Sequence, residues 1–101
     1  MKPNKTNQRN SRKRETRFLK VTKSDSILDN KFVQAIDLYS EAIFCKISPE
    51  KKSILYCNRA LANLKLENNA IALLDGCEAI KLDPLNVKGY YRRGQAYAAL
   101  R

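Results

Sequence analysis

Hydrophobic residues recur at helical spacing along most of the chain. Between residues 31 and 46 they fall three and four apart, at Phe32, Ala35, Ile36, Tyr39, Ala42 and Ile43. This spacing places them on one face of an amphipathic helix. Similar stripes predict helices over about 49–66, 70–82 and 86–101, and a weaker stripe predicts one over 18–28. The expected fold class is therefore all-α, with five helices joined by short turns.

The residues between these stripes are of the kinds that begin and end helices. Asp29-Asn30 favours a turn between the first two predicted helices. Ser48 suits an N-cap, with Pro49 at the first helical position. The polar run 67–69 breaks the third predicted helix, and Asp83-Pro84 ends the fourth.

Two segments of the chain repeat at a spacing of 34 residues. The matched pairs are Tyr56 with Tyr90, Ala60 with Gly94, Ala62 with Ala96 and Leu66 with Leu100. Helix-turn-helix repeats have this period, and their small residues let neighbouring helices approach closely. The second and fourth helices match instead at 37, as Ala35 with Ala72 and Ala42 with Ala79. The three extra residues predict that the helix after Pro49 begins one turn early.

The basic charge is concentrated at the start of the chain. The formal net charge is +10, and residues 1–17 hold seven Lys or Arg but one acid. With Met1 as its only apolar residue, this segment is expected to be a disordered basic tail. It suits either a solubilising tail or a nuclear address, and nucleic acid is expected to bind only through it, if at all.

Composition argues against several kinds of chemistry. The chain has no histidine, and its three cysteines form no CxxC pair. We therefore expect no metal site, no cofactor and no catalytic centre, and we expect the cysteines to be buried or half-buried. No apolar run approaches the roughly 18 residues that span a membrane. The expected protein is soluble and cytoplasmic, with the nucleus as a further location.

The small and aromatic residues of the repeat carry a family resemblance. Tyr56, Ala60, Ala72, Ala79, Pro84, Tyr90, Gly94 and Tyr97 stand at offsets that resemble tetratricopeptide repeats. The runs 56–60, 79–84 and 88–94 resemble the co-chaperone type, including the amino-terminal domain of serine/threonine protein phosphatase 5. This resemblance implies an α-solenoid of antiparallel helix pairs with about two and a half repeats. The repeats would cover about 18–47, 49–83 and 86–101, and residues 1–17 would lie outside them.

The same resemblance implies a carboxylate clamp. In such domains two lysines, two asparagines and an arginine hold the terminal Glu-Glu-Val-Asp of heat-shock protein 90 or heat-shock protein 70. Carried over residue by residue, these positions fall on Lys20, Asn58, Lys88 and Arg92, with Ser24 where the family has its first asparagine.

The chemistry of the candidate residues suits a carboxylate ligand. Lys88 and Arg92 stand four apart and so share a helix face. Arg offers a planar fork, Lys a point charge, and Asn both a donor and an acceptor. Lys65, seven residues beyond Asn58, is a possible additional peptide contact along with Ser24. The alternative is that these cations form an ordinary solvated face.

The sequence thus predicts a peptide-binding module that docks the acidic tail of a chaperone. One alternative is a general tetratricopeptide scaffold whose clamp is degenerate at Ser24. Another is a nucleic-acid-associated protein that acts through its basic tail. If the parent protein is a phosphatase, its catalytic domain is expected to lie outside this chain. Either marginal stability or self-association through the last helix is expected, because Tyr90, Tyr97 and Leu100 should be partly bare.

Overall fold

Four helices make up the part of the chain that the structure describes. The computed structural model describes residues 23–101, with side chains from Ile27 onwards. Its helices are α1 (Lys23–Ile43), α2 (Pro49–Lys65), α3 (Asn69–Leu82) and α4 (Val87–Leu100). Each helix packs on the next, and α2 also contacts α4. The expected all-α helical repeat is confirmed.

The first helix corrects the sequence-based prediction. α1 runs without interruption through Asp29 and Asn30, so the predicted turn is wrong. The two residues cost a helix well under 1 kcal/mol each relative to alanine, and neither Gly nor Pro stands beside them to end it. The predicted helix 18–28 and the helix that followed it are therefore joined across this point. Residues 18–22 and the predicted tail 1–17 lie outside the described residues.

The helix after Pro49 begins one turn early, as the sequence predicted. The side-chain oxygen of Ser48 accepts a hydrogen bond of 3.2 Å from the backbone N–H of Lys51, and Pro49 follows it as the first helical residue. α2 has 17 residues and α4 has 14. Because Ser53 of α2 corresponds to Val87 of α4 at the 34-residue spacing, the four residues from Pro49 to Lys52 form an additional turn of α2.

The predicted break after α2 is present, but it covers residues 66–68, because Asn69 already belongs to α3. α2 ends at Lys65, and Glu67 adopts a left-handed backbone conformation with φ of 63°. The backbone N–H of Asn68 then donates to the carbonyl of Asn63 over 2.8 Å. This hydrogen bond satisfies one of the carbonyls at the end of α2, and α3 begins at the next residue, Asn69.

Small residues lie where the helices approach most closely. Ala60, Ala72 and Ala96 are fully buried and form one cluster, with Leu64 and Leu73 packed against it. A Cβ on Gly76 would lie only 3.1 Å from the backbone nitrogen of Arg93 in α4. The role expected for small residues is therefore confirmed at Ala60, Ala72 and Ala96.

A polar network joins the first three helices. The guanidinium of Arg59 in α2 donates from Nη1 to Ser40 Oγ of α1 over 2.9 Å, and it pairs with Asp75 of α3. Asn63 Nδ2 donates to the same carboxylate over 3.0 Å. Because Asp75 is buried, these partners compensate for its removal from water.

Two of the three cysteines do not lie where the sequence suggested. Cys57 is buried, but Cys45 and Cys77 are exposed. Cys45 lies in the turn that follows α1, which ends at Ile43, and Cys77 lies on a part of α3 that no other helix of residues 23–101 covers. The last helix exposes Tyr90, Tyr97 and Leu100, as expected.

None of the helices described is long and apolar enough to cross a membrane.

Candidate peptide-binding site

A cleft of about 410 Å³ lies between the first half of α2 and the beginning of α4. One wall comes from α2 and includes Glu50, Ile54 and Asn58. The other comes from the segment 83–88 and includes Lys88. The cleft therefore brings together two of the four residues predicted to hold a peptide carboxylate.

The α2 wall is a single helical stripe. Glu50, Ile54 and Asn58 stand four residues apart, so they follow one another along the same face. Asn58 is half-buried, whereas Glu50 and Ile54 are exposed. A ligand in the cleft would thus meet an amide, an aliphatic side chain and a carboxylate in order along α2.

Asn86 positions the α4 wall. Its Oδ1 accepts from the backbone N–H of Lys88 over 3.1 Å, which caps α4. Its Nδ2 donates to Ser53 Oγ over 2.8 Å and to Cys57 Sγ over 3.4 Å. Ser53 in turn donates to the carbonyl of Ala79 over 2.7 Å. One side chain therefore starts α4 and ties it to α2, and this determines where Lys88 emerges.

Cys57 lines the cleft with a buried thiol. Burial raises the pKa of Cys57 above its ordinary value. The hydrogen bond from Asn86 opposes this shift, and so do the positive charges of Arg92 and Lys88. Both cations therefore act electrostatically on the part of α2 that carries Cys57 and Asn58.

The guanidinium of Arg92 is only partly paired within residues 23–101. Its Nη1 donates to Gln95 Oε1 over 2.9 Å, and its guanidinium lies 5.3 Å from the centre of the Tyr91 ring. Its Nε is buried and has no hydrogen-bond partner within residues 23–101. An unsatisfied charged donor is costly, and this nitrogen is closed to a ligand unless the side chain of Arg92 moves.

The remaining predicted residues are not part of the cleft wall. Lys65 is exposed in the last turn of α2, about 10 Å along the helix from Asn58. Ser24 lies in the first turn of α1, where the structure describes the backbone alone. Lys20 falls outside the described residues. The five-residue clamp therefore remains a prediction, of which the structure places Asn58 and Lys88 in one cleft with Arg92 nearby.

Sequence reasoning did not identify Glu50, Cys57 and Asn86 as residues of this cleft. Glu50 could have been found, because it stands on the helical stripe of Asn58. Asn86 carried a weaker signal as an asparagine directly before a helix. Nothing in the sequence indicated that its amide would reach Ser53 and Cys57, which are 33 and 29 residues away.

Three relatives show what this chain is similar to. Serine/threonine-protein phosphatase 5 of Homo sapiens is 40% identical over 82 residues, which cover 81% of this chain and 16% of that protein. Serine/threonine-protein phosphatase T of Trypanosoma brucei brucei is 37% identical with the same coverage. DnaJ homolog subfamily C member 7 of Mus musculus is 35% identical over 88 residues, which cover 83% of this chain and 18% of that protein.

The similarity is confined to one region of these relatives. All three contain tetratricopeptide repeats, and the matching part of the phosphatases is their amino-terminal repeat region, outside the catalytic domain. The chain spans about one sixth of the length of the phosphatases it matches. No family model matches the sequence. No solved structure matches it significantly either.

Proposed function

We propose that this chain, which is a tetratricopeptide-repeat domain and hence a protein-interaction module, binds the acidic carboxyl-terminal tail of a heat-shock chaperone. The expected ligand is an extended peptide that ends in Glu-Glu-Val-Asp, from heat-shock protein 90 or heat-shock protein 70. The relatives include a DnaJ homolog and two phosphatases, so a co-chaperone or phosphatase-regulating role is part of the proposal.

The observation that carries this proposal is the cleft shared by Asn58 and Lys88. An amide and an ammonium group line the same cavity, and the charge of Arg92 acts on Cys57 beside them. A peptide carboxylate needs fixed cations and N–H donors, and these three side chains supply both. The apolar side chain of Ile54 gives the cleft a surface for an aliphatic residue such as valine.

The expected affinity is modest. A hydrogen bond to a charged group contributes about 1.5–3 kcal/mol. Ordering an extended peptide and the exposed side chain of Lys88 offsets part of this gain. Four such contacts, one from each predicted carboxylate-binding residue, give about 6–12 kcal/mol before these costs and leave a dissociation constant of about 1 µM, equivalent to about −8 kcal/mol. An interaction of this strength suits a module that exchanges partners.

Isothermal titration calorimetry with two peptides tests the proposal. A free-acid Glu-Glu-Val-Asp peptide should bind the chain, and the same peptide with an amidated carboxyl terminus should bind at least about tenfold more weakly, because one charge-assisted contact is lost. Equal binding of the two peptides would contradict the clamp and leave a general tetratricopeptide scaffold.

A further inference from the structure

We propose that two copies of this chain pair through α1, each placing the first part of its α1 on the second part of the other's α1. The proposal comes from a face of α1 that stays open, although the matching face of α3 is buried against α2. The occupant of this face is the beginning of the same helix from a second copy.

The open face is seen when α1 is compared with α3, which its second part matches at a spacing of 37 residues. Ala72 and Asp75 of α3 are 0% and 2% exposed, because this face packs on α2. Their counterparts in α1 are Ala35, which is half-buried, and Leu38, which is 65% exposed. The second part of α1 thus presents the face on which a repeat seats its first helix, but no helix of residues 23–101 covers Leu38.

The same spacing identifies the segment that covers such a face. Residues 53–65 of α2 correspond to residues 16–28, which end in the first part of α1. Leu64, which packs against the cluster containing Ala72, corresponds to Ile27, and Ile27 is 52% exposed. The chain therefore contains a matching apolar side chain, which is left exposed to solvent.

A continuous α1 keeps Ile27 away from Ala35 of the same chain. The two residues lie on one helix, about 12 Å apart along its axis. Between α2 and α3 the chain reverses at Glu67, whose φ is 63°, whereas its counterpart Asn30 stays within α1. Because the chain does not reverse at Asn30, the helix that covers this face comes from another molecule, as in an exchange of identical elements.

The geometry of the α2–α3 pair makes this assembly symmetric. Ser53 near the start of α2 is hydrogen-bonded to Ala79 near the end of α3, so these helices run antiparallel. The corresponding contact of Ile27 with Ala35 has its midpoint at Lys31. An antiparallel pair of identical helices centred on one residue makes each contact twice, so the dimer is closed. Lys31 is exposed, and its long side chain can keep its ammonium group in water.

Size-exclusion chromatography with light scattering on the full chain, over a wide range of concentration, provides the test. The unmodified chain should reach twice the mass of one chain. Leu38→Glu should weaken the dimer at least about a hundredfold, because two leucines, one from each copy, lose their burial. Leu38 is exposed in the single chain, so this variant should keep its helices, which circular dichroism checks.

Two control variants alter other exposed apolar residues. Leu74→Glu is the matched control, since Leu74 is 67% exposed on α3 and lies outside the proposed contact. Tyr97→Glu changes the exposed face of α4. Both variants should leave the dimer intact.

Two substitutions at Asn30 test the role of the continuous helix. Asn30→Gly permits the left-handed conformation that Glu67 adopts, so the first part of α1 can fold back on its own chain. The mass of this variant should fall to that of one chain. Asn30→Ala favours the helix and should keep the dimer.

An unmodified chain that keeps the mass of one molecule at every concentration would overturn the inference. A dimer that Leu38→Glu weakens no more than Leu74→Glu, or equal masses of the two Asn30 variants, would overturn it as well. Loss of the dimer in Tyr97→Glu alone would place the contact on α4 instead. Because Leu38 and Asn30 do not line the peptide cleft, none of these outcomes bears on the proposed function.

Discussion

Arg59 and Asp75 form a two-pronged ion pair between α2 and α3. Nη2 of Arg59 lies 2.7 Å from Oδ1 of Asp75, and Nε lies 3.1 Å from Oδ2. The hydrogen bond with Asp75 raises the pKa of Arg59 above its ordinary value. The side chain of Asp75 is 3% exposed, so the pair is largely removed from water. Such a pair joins two helices firmly, and either residue alone would be destabilising.

Asp75→Ala should lower the free energy of unfolding by about 3 kcal/mol. It leaves the guanidinium of Arg59 and the amide of Asn63 without their shared acceptor in a poorly hydrated site. Urea denaturation measures the loss. Glu78→Ala is the control, because Glu78 forms only a surface pair of 3.8 Å with Lys81 and should cost no more than about 0.5 kcal/mol. Equal losses would contradict a structural role for the Arg59 pair.

Two glycines should respond to alanine in opposite directions. Gly76→Ala places a Cβ 3.1 Å from the backbone nitrogen of Arg93, and the backbone cannot move aside cheaply, so it should destabilise by about 1–3 kcal/mol. Gly94→Ala meets no atom within 4 Å in the described part of the chain and should stabilise α4 by about 0.5–1 kcal/mol. Thermal denaturation of both variants tests this, and a stabilising Gly76→Ala would contradict the close approach of α3 and α4.

Asn86→Ala should cost about 1–2 kcal/mol of stability, because it removes the cap of α4 and the donor to Ser53. Asn68→Ala is the matched control. Asn68 also precedes a helix, but its side chain makes no capping hydrogen bond, so the loss should be smaller. Urea midpoints of the two variants provide the comparison. A larger loss at Asn68 would show that the bridge from α4 to α2 contributes little.

Clamp variants should reduce peptide affinity without unfolding the domain. Lys88→Ala and Arg92→Ala should each weaken binding of the free-acid peptide by about 1.5–3 kcal/mol, or roughly tenfold or more. Lys81→Ala is the control, since Lys81 is exposed on α3 and does not line the cleft. Calorimetry gives the affinities, and circular dichroism checks the fold. A weakening by Lys81→Ala as large as that by Lys88→Ala would indicate general charge attraction rather than a site.

Ser24→Asn tests the part of the clamp predicted in the first helical turn. An amide reaches further than a hydroxyl and offers more hydrogen bonds, so this variant should strengthen peptide binding by about 0.5–1.5 kcal/mol if Ser24 faces the ligand. Calorimetry against the free-acid peptide measures the change. An unaltered affinity would show that Ser24 does not contact the ligand.

The thiol of Cys57 should make stability fall at alkaline pH. Its pKa in the folded state is raised above the ordinary value of 9.0. The folded chain therefore holds a proton that the unfolded chain releases, so the free energy of unfolding has its full value below pH 9.0 and decreases as the pH rises through the folded pKa. Cys57→Ala should reduce this decrease, whereas Cys77→Ala, at an exposed thiol, should retain it.

Melting temperatures at pH 7 and pH 10 measure the difference between these variants. The two cysteine variants differ from each other only at positions 57 and 77, so their comparison isolates Cys57. Identical pH profiles for Cys57→Ala and Cys77→Ala would contradict the burial of this thiol.

Local signals in the sequence determined most of the helices. Ser48-Pro49 began α2 and Asp83-Pro84 followed α3, because capping and the geometry of proline act within one or two residues. The 34-residue match also predicted small residues at close helix contacts, which is confirmed at Ala60, Ala62 and Ala96 but is wrong at Gly94, which is exposed within the described residues. Asp29-Asn30 failed as a turn signal because polar residues without Gly or Pro only weakly oppose a helix.

Only the tertiary structure decided which distant residues meet. The bridge of Asn86 to Ser53, the pair of Arg59 with Asp75 and the exposure of Cys77 all depend on how the helices are placed against each other. Periodicity assigns a residue to a face of its own helix, but it does not say which residue of another helix that face will contact. For the same reason the sequence showed Lys88 and Asn58 as candidates, while the packing of α2 on α4 placed them, with Glu50, in one cleft.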